Sequence, residues 1–126
     1  MTQLHGHNQR KFDYNFSILD SDDAIIAPGT NDKVRVKIGR RCGATQTPTI
    51  DLLSGTASAN GSTLTKDGAG AGIHELRIVQ ADMALLNPGV YTFEALLVDN
   101  ADSQAAKHAN HEVFTVEGTM AGSLGL

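Results

Sequence analysis

Strict alternation of large apolar and small polar side chains over residues 12–18 is the feature that most constrains the fold. The segment reads Phe-Asp-Tyr-Asn-Phe-Ser-Ile. Successive side chains of a β-strand point to opposite faces of the sheet, so a period of two places the three rings and the isoleucine on one face. Residues 33–38 alternate in the same way, with Val and Ile against Lys and Arg. Each segment therefore packs one face on a core and turns the other to water, as antiparallel strands do.

Turn residues divide the rest of the chain into further strands. The other strand candidates are residues 50–53, 73–79, 90–98 and 112–118. Asn60-Gly61 is the strongest hairpin signal, because a type I′ turn needs positive φ at both central residues. Residues 99–111 are interpreted as a long polar loop.

One short segment has helical character. Residues 81–87 fit about two helical turns, with Asp82 as a candidate N-cap and Pro88-Gly89 as the stop. About seven strands and almost no helix predict an all-β, antiparallel sandwich, with a jelly roll or a small β-barrel as alternatives, because strand order is not readable from strand count.

The length of 126 residues suits a single domain. Residues 12–118 contain all the strand signals and are assigned to the β-sandwich domain. Residues 1–11 are polar and are expected to form a flexible N-terminal arm, and residues 119–126 a small, weakly apolar C-terminal tail. Neither segment has enough apolar surface to bury much on its own domain.

Composition and charge exclude several classes of protein. The single cysteine, Cys42, rules out a framework of internal disulfides. The formal net charge of −4 argues against a nucleic-acid partner. No apolar run approaches the ~20 residues that span a bilayer, so no membrane partner is expected. The first twelve residues lack the apolar core of a signal peptide, so secretion by that route is not expected.

Histidines raise the question of a metal site. His5 and His7 form one pair and His108 and His111 another, and Cys42 offers a further ligand. Zinc needs three or four convergent ligands. Both pairs lie in segments assigned to an arm or a loop, so no metal is expected.

Acidic clusters and nucleophiles also lack the patterns of a reactive site. Residues 20–23 and 99–102 are rich in Asp but match turns rather than a twelve-residue calcium loop. Arg40 and Arg41 could lower the pKa of Cys42, yet no nucleophile motif surrounds that cysteine or any serine. We therefore expect no enzyme activity and no cofactor.

The aromatic residues are expected to fill the core. Carbohydrate sites stack sugars on exposed rings, but all six rings of this chain lie on strand candidates. They are Phe12, Tyr14, Phe16, Tyr91, Phe93 and Phe114.

Residues 85–91, Leu-Leu-Asn-Pro-Gly-Val-Tyr, are the most informative local motif. A helical turn, a Pro88-Gly89 stop and Tyr91 opening an apolar strand match a tyrosine corner, in which the hydroxyl binds nearby backbone. In this motif the chain resembles the immunoglobulin-like sandwich superfamily over residues 12–118. The cysteine pair and the tryptophan of antibody domains are missing. The resemblance therefore implies an immunoglobulin-like architecture alone.

Exposed cations and terminal apolar residues are the candidate partner contacts. Lys33, Arg35 and Lys37 form one basic strand face, which together with the cations just beyond it suits an acidic protein surface. The terminal segments could order by docking on a neighbouring subunit. The candidate contact residues are Leu4, Arg10, Lys11, Arg40, Arg41, Leu124 and Leu126.

A small sandwich with an unpaired cysteine, no signal peptide and terminal segments suited to docking resembles the accessory structural proteins of tailed bacteriophages. The resemblance implies a non-enzymatic virion protein, assembled in the host cytoplasm, that decorates or cements the capsid. Its partners would be the major capsid protein or other virion proteins, and it would form a homo-oligomer such as a trimer. A tail or baseplate adaptor domain and a carbohydrate-binding adhesin module are the alternatives, and a hydrolase is a more distant one.

Overall fold

A computed structural model describes residues 3–40, 48–99 and 102–118, which form eight strands and one short helix. The strands are β1 (Gln3–His7), β2 (Phe12–Phe16), β3 (Asp32–Gly39), β4 (Ile50–Leu53), β5 (Thr63–Gly70), β6 (Ile73–Ile78), β7 (Gly89–Asp99) and β8 (Asp102–Glu117). Helix α1 (Gln80–Met83) lies between β6 and β7. It begins one residue before the segment expected to be helical, residues 81–87, and ends within that segment. No helix in the described ranges is long and apolar enough to cross a membrane.

The strands form two sheets that pack face to face. One sheet has the order β1-β8-β7-β3-β4 and the other has the order β2-β6-β5. Every pairing is antiparallel except that of β1 with β8. The order β8-β7-β3 against β2-β6-β5 is the G-F-C against B-E-D order of an immunoglobulin domain. The predicted immunoglobulin-like sandwich is thus confirmed, and the described strands close no barrel.

Aromatic side chains from both sheets meet in the core. The ring centroid of Phe12 lies 4.9 Å from that of Phe114, and those of Tyr14 and Phe16 lie 5.9 and 5.8 Å from that of Phe93. Phe93 and Phe114 are at most 1% exposed. The alternating residues of β2 all face inward, so the period of two in the sequence corresponds directly to the face that builds the core.

Strand β1 differs from the prediction that residues 1–11 form a flexible arm. Gln3–His7 pair in parallel with β8, and Leu4 is only 7% exposed within the core cluster. Gly6 permits the close approach, because a Cβ there would lie 2.8 Å from the Phe114 ring and 2.9 Å from Met83 Cε. Strand β8, with which β1 pairs, lies at the other end of the sequence. No pattern among neighbouring residues therefore predicts the pairing.

Strand β8 also differs from its prediction. Residues 99–111 were expected to be a polar loop, but β8 begins at Asp102 and pairs with β7 along its length. The register of this pairing shifts between Leu97 and Val98 and again between Val98 and Asp99. The outer strand of a long hairpin faces water and does not need apolar side chains. The polar composition of residues 99–111 is therefore similar to that of a loop.

The turn at Asn60-Gly61 forms, but not as a hairpin. Ser58 N–H donates to the Ser62 carbonyl at 2.9 Å, and Gly61 has φ of 97°. The turn lies in the connection from β4 to β5, which belong to different sheets. The local signal correctly predicted a tight turn, whereas the pairing partners of its flanks depended on the packing of the two sheets.

Candidate functional site

The tyrosine corner shapes one end of the sandwich. The Tyr91 hydroxyl donates to the Asn87 carbonyl at 2.8 Å, and the side chain is only 4% exposed. Gly89, between the Pro88 stop and Tyr91, has φ of 151°, a value that favours glycine. The hydrogen bond ties the start of β7 to the turn that precedes it, which makes this corner a defined support for neighbouring side chains.

Arg40 is held by this corner. Its guanidinium carbon lies 4.2 Å from the centroid of the Tyr91 ring, a cation–π geometry. The guanidinium also packs against Gly89, where it leaves no room for a Cβ. Arg40 follows the end of β3 and is exposed, so the sandwich presents this cation to solvent from a fixed position.

The turn between β1 and β2 brings two more cations to the same end. Arg10 N–H donates to the His7 carbonyl at 3.0 Å, and the Asn8 side chain donates to the Leu86 carbonyl at 3.1 Å. Lys11, with a side chain 75% exposed, lies 3.5 Å from Asp13. At this distance and exposure the ion pair contributes little to stability, so Lys11 stays accessible to a partner.

Two exposed apolar side chains accompany these cations. Leu85 is 58% exposed and Val90 is 59% exposed, on either side of the corner. We call the set Arg10, Lys11, Arg40, Leu85 and Val90 the basic end. Sequence reasoning missed Leu85 and Val90. The alternation of β7 carried a signal for Val90, because it is out of phase with the inward-facing Tyr91.

The remaining candidate contacts are not brought to this end. Leu4, predicted as a partner contact, lies in the core instead, because β1 turns it inward opposite Phe114. Arg41, Leu124 and Leu126 lie outside the described residues.

The basic strand face is interleaved with carboxylates. The Arg35 guanidinium donates to both Asp51 carboxylate oxygens, at 2.8 and 2.6 Å. Lys37 lies opposite Asp51 and Glu94 in the ladders of β4 and β7. Among the described cations, those of the basic end are therefore better placed than this face to meet an acidic surface.

The buried carboxylate of Asp82 joins two segments of the chain near the basic end. This carboxylate accepts hydrogen bonds from Ser58 Oγ at 2.6 Å, from Asn60 Nδ2 at 2.8 Å and from Ser62 Oγ. Burial acts to raise the pKa of Asp82, but these three donors outweigh it and hold the pKa below its ordinary value. Asp82 was expected to cap α1, yet Val79 occupies the N-cap position. The carboxylate instead fastens the β4–β5 connection to α1.

A cleft of about 550 Å³ opens between the edges of the two sheets. Five of its eleven lining residues carry a side-chain hydroxyl, and Asp32, Lys33 and Lys66 lie beside them. Lys66 Nζ donates to the carbonyls of Gly29 and Asp32, at 3.1 and 2.7 Å, so the Lys66 ammonium group has hydrogen-bond partners within the protein. The hydroxyl residues are Thr30, Ser54, Thr56, Thr63 and Thr65. The lining combines these hydroxyl groups with a larger apolar surface and contains no aromatic ring on which a sugar could stack.

The histidine pairs lie apart from any set of convergent ligands in the described ranges. No group of three or more His, Cys, Asp or Glu side chains there is placed to hold a metal ion. His111 Nε2 lies 2.7 Å from a Glu94 carboxylate oxygen, which gives this imidazole a protein partner.

Comparison of the chain with models of known protein families and with curated proteins finds no match in either set.

Proposed function

We propose that this protein is a non-enzymatic structural protein of a virion, of the type that decorates or cements a bacteriophage capsid, and that its basic end contacts the major capsid protein or another virion protein. The observation that carries the proposal is that the exposed cations Arg10, Lys11 and Arg40 lie at the same end of the sandwich as exposed Leu85 and Val90. An apolar centre with a charged rim is the usual composition of a protein interface.

The use of the aromatic residues supports a structural role. All six rings lie in the core cluster or pack against it. Large rings are the strongest anchors that a chain can offer to a small ligand or a sugar. This chain uses them to hold its two sheets together, so the surface is left with charged and aliphatic contacts of moderate strength.

Moderate contacts suit a protein that binds a lattice. When several copies are linked through a particle, each binding event raises the effective concentration of the next. Weak single contacts then add up to stable attachment. Two aliphatic side chains and three cations on a supported corner are sufficient in such a setting, where a lone complex would dissociate.

The test uses virus particles purified on a density gradient from a culture that carries the gene. We expect the chain to travel with the particles at a constant ratio to the coat protein, as measured by quantitative mass spectrometry. Immunogold labelling in the electron microscope then separates the capsid position from the alternative tail or baseplate position. A chain found only in the soluble fraction would overturn the virion role.

A matched pair of variants tests the basic end in the same particles. Arg10→Glu with Lys11→Gln changes exposed residues of a turn, and we expect it to lower occupancy of the particles several-fold. Lys37→Gln removes a cation from the outer face of β3 and should leave occupancy unchanged. Equal occupancy for all three proteins would show that another surface makes the contact.

The cleft favours one second candidate, the carbohydrate-binding adhesin module. Its hydroxyl-lined walls offer hydrogen bonds to a sugar. Binding to a glycan array, abolished by Thr63→Val and Thr65→Val at the mouth of the cleft and retained by the Arg10→Glu, Lys11→Gln variant, would favour this function. No binding across the array would remove it.

A further inference from the structure

Exposed apolar side chains lie at both ends of the sandwich. Four large hydrophobic residues of the described ranges are exposed: Leu85 and Val90 at 58% and 59%, and Ile25 and Ile73 at 57% and 37%. Leu85 and Val90 belong to the basic end, where β7 begins. Ile25 and Ile73 lie at the opposite end, in the connection after β2 and at the start of β6. The sheets thus carry one apolar pair at each end.

The second pair forms one surface. A Cβ on Gly72 would come within 2.7 Å of Ile25 Cγ2, so Ile25 packs directly against the tip of the β5–β6 hairpin, next to Ile73. Leu19 and Ile25 form a β-bridge that holds this segment in place. The apolar surface is therefore supported by hydrogen-bonded backbone on both sides.

Carboxylates surround this pair. Asp20 Oδ1 accepts from the backbone N–H groups of Asp22 and Ala24, at 2.8 and 3.0 Å, and this turn presents Asp22 and Asp23 to solvent. Asp67 is exposed at the hairpin tip, where its carboxylate accepts from Gly72 N–H at 2.8 Å. We call the set Asp20, Asp22, Asp23, Asp67, Ile25 and Ile73 the acidic end.

Two of the three described lysines near the acidic end, Lys66 and Lys107, have internal partners, and the third, Lys33, is half-buried. Lys66 Nζ donates to two backbone carbonyls, as described above, and Lys107 Nζ lies 2.7 Å from Asp32 and 3.9 Å from Asp99. At the basic end the exposed carboxylates of the described residues are Asp13, shared by Lys11 and Arg77 at 3.5 and 3.9 Å, and Glu117. The two ends therefore present opposite signs of charge around similar apolar pairs.

We propose that the basic end of one copy binds the acidic end of a second copy, with Leu85 and Val90 against Ile25 and Ile73 and with the charged residues around them. Complementary surfaces on one molecule make a heterologous contact. Since the two surfaces lie at opposite ends of the sandwich, each bound copy offers a free end to the next. The result is an open head-to-tail row rather than a closed trimer. This row rests on the proposed function and makes it more specific, since the virion protein bound by the basic end is then a second copy of this chain.

Sedimentation velocity of the purified full chain tests the row. The average mass should rise with protein concentration without reaching a fixed oligomer. It should fall in about 1 M salt, where the Debye length is only about 3 Å. A monodisperse monomer at all concentrations, or a closed dimer or trimer, would overturn the inference.

Two variants that each block one end give a sharper result. Arg10→Glu with Lys11→Gln removes two of the three cations of the basic end and places a carboxylate there. Asp22→Lys with Asp23→Asn removes two of the four carboxylates of the acidic end and places a cation there, and Asn tolerates the φ of 61° at position 23. Each variant alone should be a monomer. An equal mixture should form a dimer and stop there, because each copy retains one working end and only the unlike pair can join. Lys37→Gln should associate like the unmodified chain.

Several outcomes would contradict this result. A mixture that stays monomeric, or a variant that dimerises alone, rules out head-to-tail binding. Circular dichroism of each variant confirms that the loss of association is not a loss of folding. The particle experiment is independent. A monomer that still occupies purified particles overturns only the row, and a row-forming chain absent from particles overturns only the virion role.

Discussion

Two buried polar side chains of this sandwich, Tyr91 and Asp82, each join two segments of the chain by hydrogen bonds. The Tyr91 hydroxyl links β7 to Asn87, and the Asp82 carboxylate links α1 to Ser58, Asn60 and Ser62. Burying a polar group without a partner costs more than a hydrogen bond gains, so each such group is sensitive to the loss of its partner. The effect of changing one of them follows from what would be left unpaired.

Tyr91→Phe should lower the free energy of unfolding by about 1–3 kcal/mol, because the Asn87 carbonyl loses its hydroxyl donor at a partly buried site. Chemical denaturation measures the loss. Tyr14→Phe is the matched control. The hydroxyl removed there makes a longer bond of 3.3 Å to Glu112 at a half-buried position, so a smaller loss is expected. An equal loss for both variants would mean that the corner bond has no special role.

Among the elements, β1 shows how a short polar strand can belong to the core. Its five residues include one large apolar side chain, Leu4, and one glycine that lets the strand approach Phe114. Hydrogen bonds to β8 supply the rest of its attachment. A strand of this kind is held by its partner rather than by its own hydrophobicity.

Leu4→Ala should destabilise the fold by about 2–4 kcal/mol, since it removes buried methyl groups and leaves a cavity beside Phe114. Gln3→Ala, at the neighbouring exposed position, should change stability by no more than about 0.5 kcal/mol. Thermal and urea unfolding of both variants provide the measurement. If Leu4→Ala is as stable as Gln3→Ala, residues 3–7 behave as a loose arm and the contribution of β1 to the core is refuted.

Stability of the whole molecule should depend on pH through one buried histidine. His74 is fully buried on β6, its Nδ1 accepts from the Asp67 backbone N–H at 3.1 Å, and its Nε2 has no hydrogen-bond partner in the described ranges. Burial lowers the pKa of His74 below 6.5, and nearby Lys66 acts in the same direction, against the opposing charge of Asp67. The unfolded chain therefore takes up this proton at a higher pH than the folded protein does.

The free energy of unfolding should fall as the pH drops below about 6.5 and through the lower folded pKa of His74. Asp32 and Asp82, whose pKa values are also lowered, weaken the fold only below their ordinary value of 3.8, so the two ranges are separate. Urea denaturation at a series of pH values measures the slope. His74→Gln should flatten it between pH 6.5 and 5, whereas His5→Gln, at an exposed position, should leave it unchanged. An unaltered slope in His74→Gln would assign the pH dependence to other groups.

The sequence alone determined the features that depend on neighbouring residues. Alternation predicted the bounds of β3 and β7 to within one residue and those of β2 to within two, the Pro88-Gly89-Tyr91 motif predicted the corner, and the six rings were assigned to the core. Side-chain period and turn chemistry act over a few residues, which is why local patterns suffice for them.

Tertiary structure decided the features that depend on a distant partner. Residues 3–7 and 102–111, predicted as an arm and a loop, belong to strands. Leu4 lies in the core rather than at the surface, and Asp82 binds residues 58–62 rather than capping α1. The tertiary structure also gathered Arg10, Arg40 and Leu85 at one end. Such groupings depend on which strands pair and how the sheets pack, and the free energy of those contacts is shared between segments that are far apart in the chain.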